Sequence, residues 1–380
     1  MKIGVIGRTN VGKSTFFKAL TLENIKIEDR PFTTIEPNRG IAYVTVKCPE
    51  SEFGKKCSPH NAPCKHGTRF VPLEMIDVAG LVENAHEGRG LGNKFLSDAM
   101  EADGLIEVVD ASGTTDSEGM HTSNYEPLND VKMVKNELVL WISSLIKETK
   151  LRSGDDISIQ VSKKLSGVKI GYDCIKEKIS EFDIKTLDND DTLEKLSNSI
   201  IASEKPILIA ANKMDLDKNF GANLENIKKN SDYECIPCSA EAELALKEAE
   251  KNGFIDYFGN SVEIKGELNE YQKGAMDVLK RILNRFGTTG VQEALNSLVF
   301  DVMKAKVVFT VEDENKMSDK RGNVLPDAYI VPKDANPKDV ASIVHTEIAK
   351  RYKGAIDCRT GLKIKNDEPV KNGQIIKILV

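Results

Sequence analysis

Short apolar runs rich in Val, Ile and Leu recur through the first half of the chain, at residues 2–6, 41–46, 71–76, 104–110 and 206–211. Runs of this length, bounded by polar and glycine-containing stretches, read as buried strands. Residues 13–20 read as the start of a helix. Strands alternating with helical stretches predict an α/β domain with a largely parallel sheet, assigned to residues 1–127 and 200–265. Residues 128–199 break the rhythm. They are polar and lysine-rich, and Val131, Val134, Leu138, Trp141, Ile142 and Leu145 fall at helical spacing, so this stretch predicts a helical insertion.

After Ser239 the pattern is helical again, around 241–249 and 270–286, and residues 266–303 read as a helical extension of the sheet domain. From Lys306 the pattern changes once more. Apolar runs at 307–311 and 328–331, a helix at 337–351 and a final strand at 375–380 give a ββαβ-like order. That order predicts a small separate α+β domain over residues 304–380.

Composition narrows the class without naming it. Hydrophobic residues make up 40% of the 380 residues and charged residues 29%, an ordinary balance for a chain with a sizeable core. A formal net charge of −6 gives no global basic field, although a local basic face on an acidic chain still admits RNA. The strand pattern starts at Lys2, so no cleaved leader is expected, and no apolar run approaches the roughly 18 residues of a membrane span. Seven cysteines in a chain of this kind predict reduced thiols and a cytoplasmic location.

The chemistry is concentrated at strand ends. Gly7-Arg8-Thr9-Asn10-Val11-Gly12-Lys13-Ser14 matches G-x-x-x-x-G-K-[ST] between a strand and a helix. Such glycines let backbone N–H groups turn inward around phosphate oxygens at a helix N-terminus. Asn10, Val11, Gly12, Lys13, Ser14 and Thr15 are the predicted phosphate-binding residues, with Lys13 reaching the β and γ phosphates and Ser14 ligating magnesium. Asp77-Val78-Ala79-Gly80 ends the run at 71–76; Asp77 predicts a water-mediated magnesium contact, and the Gly80 N–H a γ-phosphate contact. Asn212-Lys213-Met214-Asp215 follows the run at 206–211. A carboxylate there accepts two hydrogen bonds from the N1 and N2 edge of guanine, which adenine cannot supply, and Lys213 covers the base. Ser239-Ala240 fits a loop whose backbone N–H meets guanine O6. The four motifs together predict GTP.

These residues resemble the Obg superfamily of translation-factor-related GTPases, most closely its YchF-type branch in the archaeal GTP-binding form. The resemblance rests on Asn10 to Thr15, on Pro31-Phe32-Thr33-Thr34-Ile35-Glu36-Pro37-Asn38 as a first switch, and on the run from Asp77 to Leu96 as a second. It extends through residues 287–293 and 322–328, so it covers nearly the whole chain, the insertion least clearly. It implies that the C-terminal unit is a TGS domain, a ubiquitin-like β-grasp fold. It also implies association with ribosomes or RNA. A monomer is expected, with no membrane partner. Some relatives prefer ATP and depart from the guanine motif, but this chain keeps Asp215.

Slow hydrolysis is expected, with GTP and GDP alternating on a switch; the alternative is a scaffold that nucleotide merely stabilises. Leu81 stands where many relatives carry a glutamine that orients water, and a leucine cannot hydrogen-bond. Thr33 and Thr34 are both candidates for the switch threonine on magnesium, Thr34 favoured. Asn10 matches the asparagine of potassium-stimulated relatives, or else it stabilises the loop. His86 either touches water after closure or faces solvent.

Cys48, Cys57 and Cys64, with His60 and His66, crowd into residues 48–66. Thiolates and imidazole in one loop suit zinc, with His66 as fourth ligand; free thiols are the alternative. Cys235 and Cys238 read as buried structural cysteines. Lys316, Lys320, Arg321, Lys350, Arg351 and Lys353 form either a basic face or scattered solvated charges.

Overall fold

A computed structural model describes residues 1–21, 38–61, 63–81, 83–87, 92–152, 154–216 and 219–380. Residues 31–37 of the expected first switch, Thr33 and Thr34 among them, and residues 82 and 88–91 of the second lie outside these. The chain divides into two compact units: residues 2–40 with 75–298, and residues 41–74 with 299–380 and Met1.

The central sheet contains β1 (Lys2–Ile6), β2 (Asn38–Lys47), β3 (Cys64–Lys65), β4 (Thr68–Asp77), β5 (Gly104–Asp110), β6 (Ile207–Asn212) and β7 (Glu234–Pro237). Its order is β2-β4-β1-β5-β6-β7, with β3 on β4. The pairs β1–β5, β5–β6 and β6–β7 are parallel. Every residue of β5 and β6 is buried, as expected where helices cover both faces of a parallel sheet. The predicted strands therefore appear in place, each within about three residues of its expected ends.

The first unit carries helices α1 (Lys13–Thr21), α2 (Gly92–Glu101), α3 (Leu128–Lys147), α4 (Ile157–Leu165), α5 (Tyr172–Glu181), α6 (Asp190–Glu204), α7 (Phe220–Asn230), α8 (Ala240–Lys251), α9 (Glu270–Phe286) and α10 (Val291–Ser297). Helices α3 to α6 occupy the predicted insertion. The stripe read from sequence is buried: Val131, Val134, Leu138, Trp141 and Ile142 are all in the core. Most of it joins Ile6, Ile76, Leu96, Leu105, Ile200 and Ile207 in one apolar cluster, so the insertion spends its apolar face on its own unit. A second cluster gathers Val109, Ile209, Ala211, Phe220, Ile227 and Ile282. A small hairpin, β8 (Ile255–Tyr257) with β9 (Val262–Ile264), is too short for its alternation to be read in the sequence.

The C-terminal sheet contains β10 (Lys306–Val311), β11 (Asp327–Val331), β12 (Gly354–Asp357), β13 (Lys363–Ile364) and β14 (Gln374–Leu379), in the order β11-β10-β14-β12-β13. Its central pair β10–β14 is parallel and the outer pairs antiparallel. Helix α11 (Pro337–Val344) buries Val340 against Val308, Val331 and Ile376, which is the β-grasp arrangement. The helix expected over 337–351 is divided. His345 is extended (φ −169°, ψ 139°), and its ring caps α12 (Thr346–Lys350) by accepting from the Glu347 N–H. β12 and β13 were not anticipated, because four and two residues carry too short a period.

Candidate functional site

The phosphate loop joins β1 to α1 through backbone that only small residues or Asn tolerate, with Gly7, Asn10 and Gly12 at φ 144°, 63° and 95°. A side chain at Gly12 would place its Cβ 2.3 Å from Asn212 Nδ2, so the motif glycine also makes room for the second nucleotide loop. Lys13 Nζ lies 3.5 Å from Asp77 Oδ1 and Ser14 Oγ lies 3.4 Å from Asp77 Oδ2. Amine, hydroxyl and carboxylate thus converge where the strand ends of β1 and β4 meet. Gly80 approaches the same loop, its absent side chain leaving room for Thr9 Oγ1, which a Cβ would meet at 3.0 Å. Thr15 is half-buried in the first turn of α1.

Asn10 turns its side chain toward the loop at 114–122, where Nδ2 donates to the Gly119 carbonyl at 2.9 Å. Arg8, which sequence reasoning passed over, is 4% exposed. It donates to the Ser117 carbonyl, and its Nε lies 2.6 Å from Asp130 Oδ1 at the start of α3. That Nε–H is not aimed at a hydrogen-bond acceptor, so the contact is an ion pair. Asp130 also accepts from Tyr125 Oη at 2.7 Å. Burial pushes the Asp130 carboxyl up to about 6, against the downward pull of Tyr125 and Arg8. Beside it, burial and the Asp130 charge hold Glu107 well above the ordinary carboxylate range.

The base end is assembled from three loops. Asn212 is buried and spans them: Nδ2 donates to the Val11 carbonyl at 2.9 Å, and Oδ1 accepts from the Ala240 N–H at 2.9 Å. Lys213, at φ 67°, donates to Asp110 Oδ2 at 2.8 Å and to Thr115 Oγ1 at 2.9 Å. Burial raises the Asp110 carboxyl, but hydrogen bonds from Lys213, Ser112 and Thr115 outweigh it and leave the group below the usual range. Asp215 is half-buried, and its Oδ1 accepts from Ser239 Oγ at 2.7 Å. Ser239 also caps α8, accepting from the Ala242 N–H.

The Ala240 N–H, expected to face guanine O6, is taken by Asn212, and the Ser239 N–H by the Thr289 carbonyl at 2.8 Å. Buried donors must be satisfied, and the neighbouring loops supply the acceptors. Gly290 permits this approach, since a Cβ there would sit 1.8 Å from the Pro237 carbonyl oxygen.

In the second switch, Leu81 is 1% exposed and packs in the main core, so its side chain is a packing group. His86 is held by Glu137 of α3, whose carboxylate accepts from the Asn84 N–H at 2.8 Å and the His86 N–H at 3.0 Å, and sits 2.7 Å from His86 Nδ1. No sequence signal marks Glu137; it is one glutamate on a long helix.

In the other unit, Cys48, Cys57 and Cys64 come together as expected, but His66 does not join them. His66 and Gly67 (φ 50° and 76°) form the two-residue turn between β3 and β4, which leaves His66 exposed. Glu50 stands with the three sulfurs instead. His60 Nε2 lies 3.8 Å from Asp319. Cys235 and Cys238 are buried. Among the basic residues singled out in the C-terminal domain, Lys316, Lys320 and Lys350 pair with Asp313, Glu312 and Glu347, which weakens any basic field there. Among the described residues no helix is long and apolar enough to cross a membrane.

Three family models match parts of this chain. A family model described as 50S ribosome-binding GTPase matches residues 2–142. One described as Obg-like GTPase YGR210-like, G4 motif-containing domain, matches 210–313, and one described as TGS domain matches 321–380. An uncharacterized GTP-binding protein of Methanocaldococcus jannaschii is 46% identical over 389 residues, covering 99% of this chain and 98% of the relative. The ribosome-binding ATPase YchF of Mycoplasma genitalium is 34% identical over 280 residues, 68% of this chain and 71% of the relative. The crystal structure of a GTP-binding protein from Pyrococcus horikoshii OT3 superposes with a TM-score of 0.79 at 32% identity, covering 100% of this chain and 99% of that one.

Proposed function

This chain belongs to the Obg-like GTPases of the YchF type, and from that membership we propose that it binds GTP with magnesium, hydrolyses it slowly, and uses the cycle as a cytoplasmic switch on ribosomes or RNA. The observation that carries the nucleotide assignment is the Asn212–Asp215 loop. Asn212 ties it to the phosphate loop and to Ala240, so Asp215 is presented at a fixed place relative to Lys13. A carboxylate so placed favours guanine over adenine, because adenine would leave it unpaired.

Ser14 and Asp77 offer hard oxygen donors beside Lys13, a set that suits magnesium. When bound, the ion neutralises charge on the β and γ phosphate oxygens. Lys13 adds its own positive charge to the same oxygens, and the turned backbone from Gly7 to Gly12 supplies N–H donors. Thr34 is the proposed switch ligand and Asn10 the proposed potassium ligand; His86, held by Glu137, is the proposed second-switch group that touches water. Ribosome association is proposed by analogy with the ribosome-binding relative of Mycoplasma genitalium.

A second reading, a nucleotide-stabilised scaffold with incidental hydrolysis, is favoured by one observation: Leu81 is buried and offers water no hydrogen bond.

Single-turnover hydrolysis of GTP and of ATP, in potassium and then in sodium, tests the assignment. Slow turnover with GTP alone, faster in potassium, is expected. Comparable ATP turnover removes Asp215 as the base reader, and equal rates in the two salts remove the role given to Asn10. Cosedimentation with ribosomes under a non-hydrolysable GTP analogue and under GDP separates switch from scaffold, since equal affinity leaves no switch.

A further inference from the structure

We infer that Cys48, Glu50, Cys57 and Cys64 form a closed structural zinc site that holds the 48–67 loop against the β-grasp sheet. Three thiols and one carboxylate present one ligand atom each, all within 4.8 Å of one another. Tetrahedral zinc with zinc–sulfur bonds of about 2.3 Å needs ligand atoms about 3.8 Å apart, so only a small contraction is required. The group is built from separated pieces of chain that local structure brings together. Cys48 precedes the short helical turn Pro49–Glu52, which carries Glu50, and Cys64 opens β3. The loop closes where the Cys48 N–H donates to the Gly67 carbonyl at 2.7 Å.

The carboxylate is already oriented. Glu50 Oε2 accepts from the Cys57 N–H at 2.8 Å, while Oε1 faces Cys64 Sγ at 3.7 Å. One ligand's backbone thus positions another ligand, the kind of supporting contact that metal sites use. Cys48 and Cys57 are buried and Cys64 and Glu50 half-buried, and four protein ligands complete a tetrahedral ion without an open position. Three sulfurs cannot all be used by disulfides, since any pair leaves one thiol over. Thiolate donors select zinc over magnesium or calcium, and donor atoms all within 4.8 Å of one another suit a single ion and leave no room for an iron–sulfur cluster.

The site borders a docking seam within the same compact unit. Directly after Cys57, the Ser58 N–H donates to the Val324 carbonyl and the His60 N–H to the Pro326 carbonyl, both at 2.8 Å. Asn61 makes paired hydrogen bonds with the Ala328 backbone, and Glu52 makes a two-point ion pair with Arg359. Buried Arg69 donates to the Leu325 and Pro326 carbonyls. A metal that fixes residues 48, 50, 57 and 64 therefore fixes the segment that makes these bonds.

The experiment uses the full chain, produced with zinc under reducing conditions, desalted, and assayed by elemental analysis. One zinc per chain is expected, kept in Cys358→Ser and lost in the double variant Cys57→Ser/Cys64→Ser. Cobalt titration of the metal-stripped wild-type chain needs no variant. It should saturate at one equivalent, with thiolate-to-cobalt charge transfer and tetrahedral d–d bands. Glu50→Gln should weaken cobalt binding by about tenfold or more. Chelation should expose the 48–67 loop to protease. A wild-type chain that takes up neither metal stoichiometrically overturns the proposal, as does a double variant that keeps its zinc. Undiminished cobalt affinity in Glu50→Gln overturns the assignment of Glu50.

Discussion

Two lysine–carboxylate pairs stand at the ends of the strands that flank β1, and they are built to different tolerances. At the phosphate end, Lys13 and Ser14 meet Asp77 at 3.5 and 3.4 Å, the outer limit of hydrogen bonding. At the base end, Lys213 meets Asp110 at 2.8 Å, and Asp110 is further satisfied by Ser112 and Thr114. The loose pair can exchange partners at little cost when a polyanion and a cation arrive. The tight pair is scaffolding: its charges are committed to each other and to neighbouring hydroxyls, and they hold the backbone that presents Asp215. Substitutions at the two ends should therefore fail in different ways.

The largest effect is expected for Lys13→Ala, a fall in the single-turnover rate of about 10³-fold with melting temperature nearly unchanged, since the group is lightly paired without nucleotide. A matching loss of stability would mean that the phosphate end is scaffolding too. Asp215→Ala should weaken GTP by about 10²-fold or more, two charge-assisted hydrogen bonds being lost, while leaving ATP affinity as it was. Equal weakening of both nucleotides, read by calorimetry, would deny Asp215 its role in base choice.

Asp110→Ala should act chiefly on the fold, costing about 3 kcal/mol in denaturant unfolding. That is the low end for a broken buried pair, because the Lys213 side chain keeps 23% of its exposure. A variant of wild-type stability with poor GTP binding would reverse the contrast drawn between the two ends.

The smallest effect concerns Asp130, which ties Arg8 of the phosphate loop to α3. Its carboxyl rises from 3.8 to about 6 in the fold, so the folded state binds the extra proton. That contribution to stability is complete below pH about 4 and is lost as pH rises through about 6. The linkage amounts to at most about 3 kcal/mol. The difference between wild type and Asp130→Asn in urea midpoint should shrink on moving from pH 7 to pH 5. A constant difference would show that Asp130 does not titrate there.

The nucleotide loops were legible because each is a local event. A strand end, a glycine and a lysine a fixed number of residues apart place their own groups, whatever the rest of the chain does. The same holds for the helix at 270–286, whose period and Asn269–Gln272 capping box are contained in consecutive residues. The cysteine loop shows the limit. Crowding of Cys48, Cys57 and Cys64 was visible, but the choice between His66 and Glu50 depended on a two-residue turn that carries His66 outward. Glu50 lies two residues from Cys48, and that spacing was the one available hint.

From its sequence alone this chain is committed to a glycine-rich loop between β1 and α1, an Asn212–Asp215 loop after β6, a parallel sheet and a β-grasp fold, because periodicity and short motifs encode local geometry directly. Tertiary structure alone decided that Glu137 holds His86, that Asp110 supports Lys213, that Arg8 is buried between acidic groups, and that the 48–67 loop lies on the β-grasp sheet. Those pairings join residues tens to hundreds of positions apart. A side chain finds such a partner only through the packing of whole elements, which no spacing along the chain records.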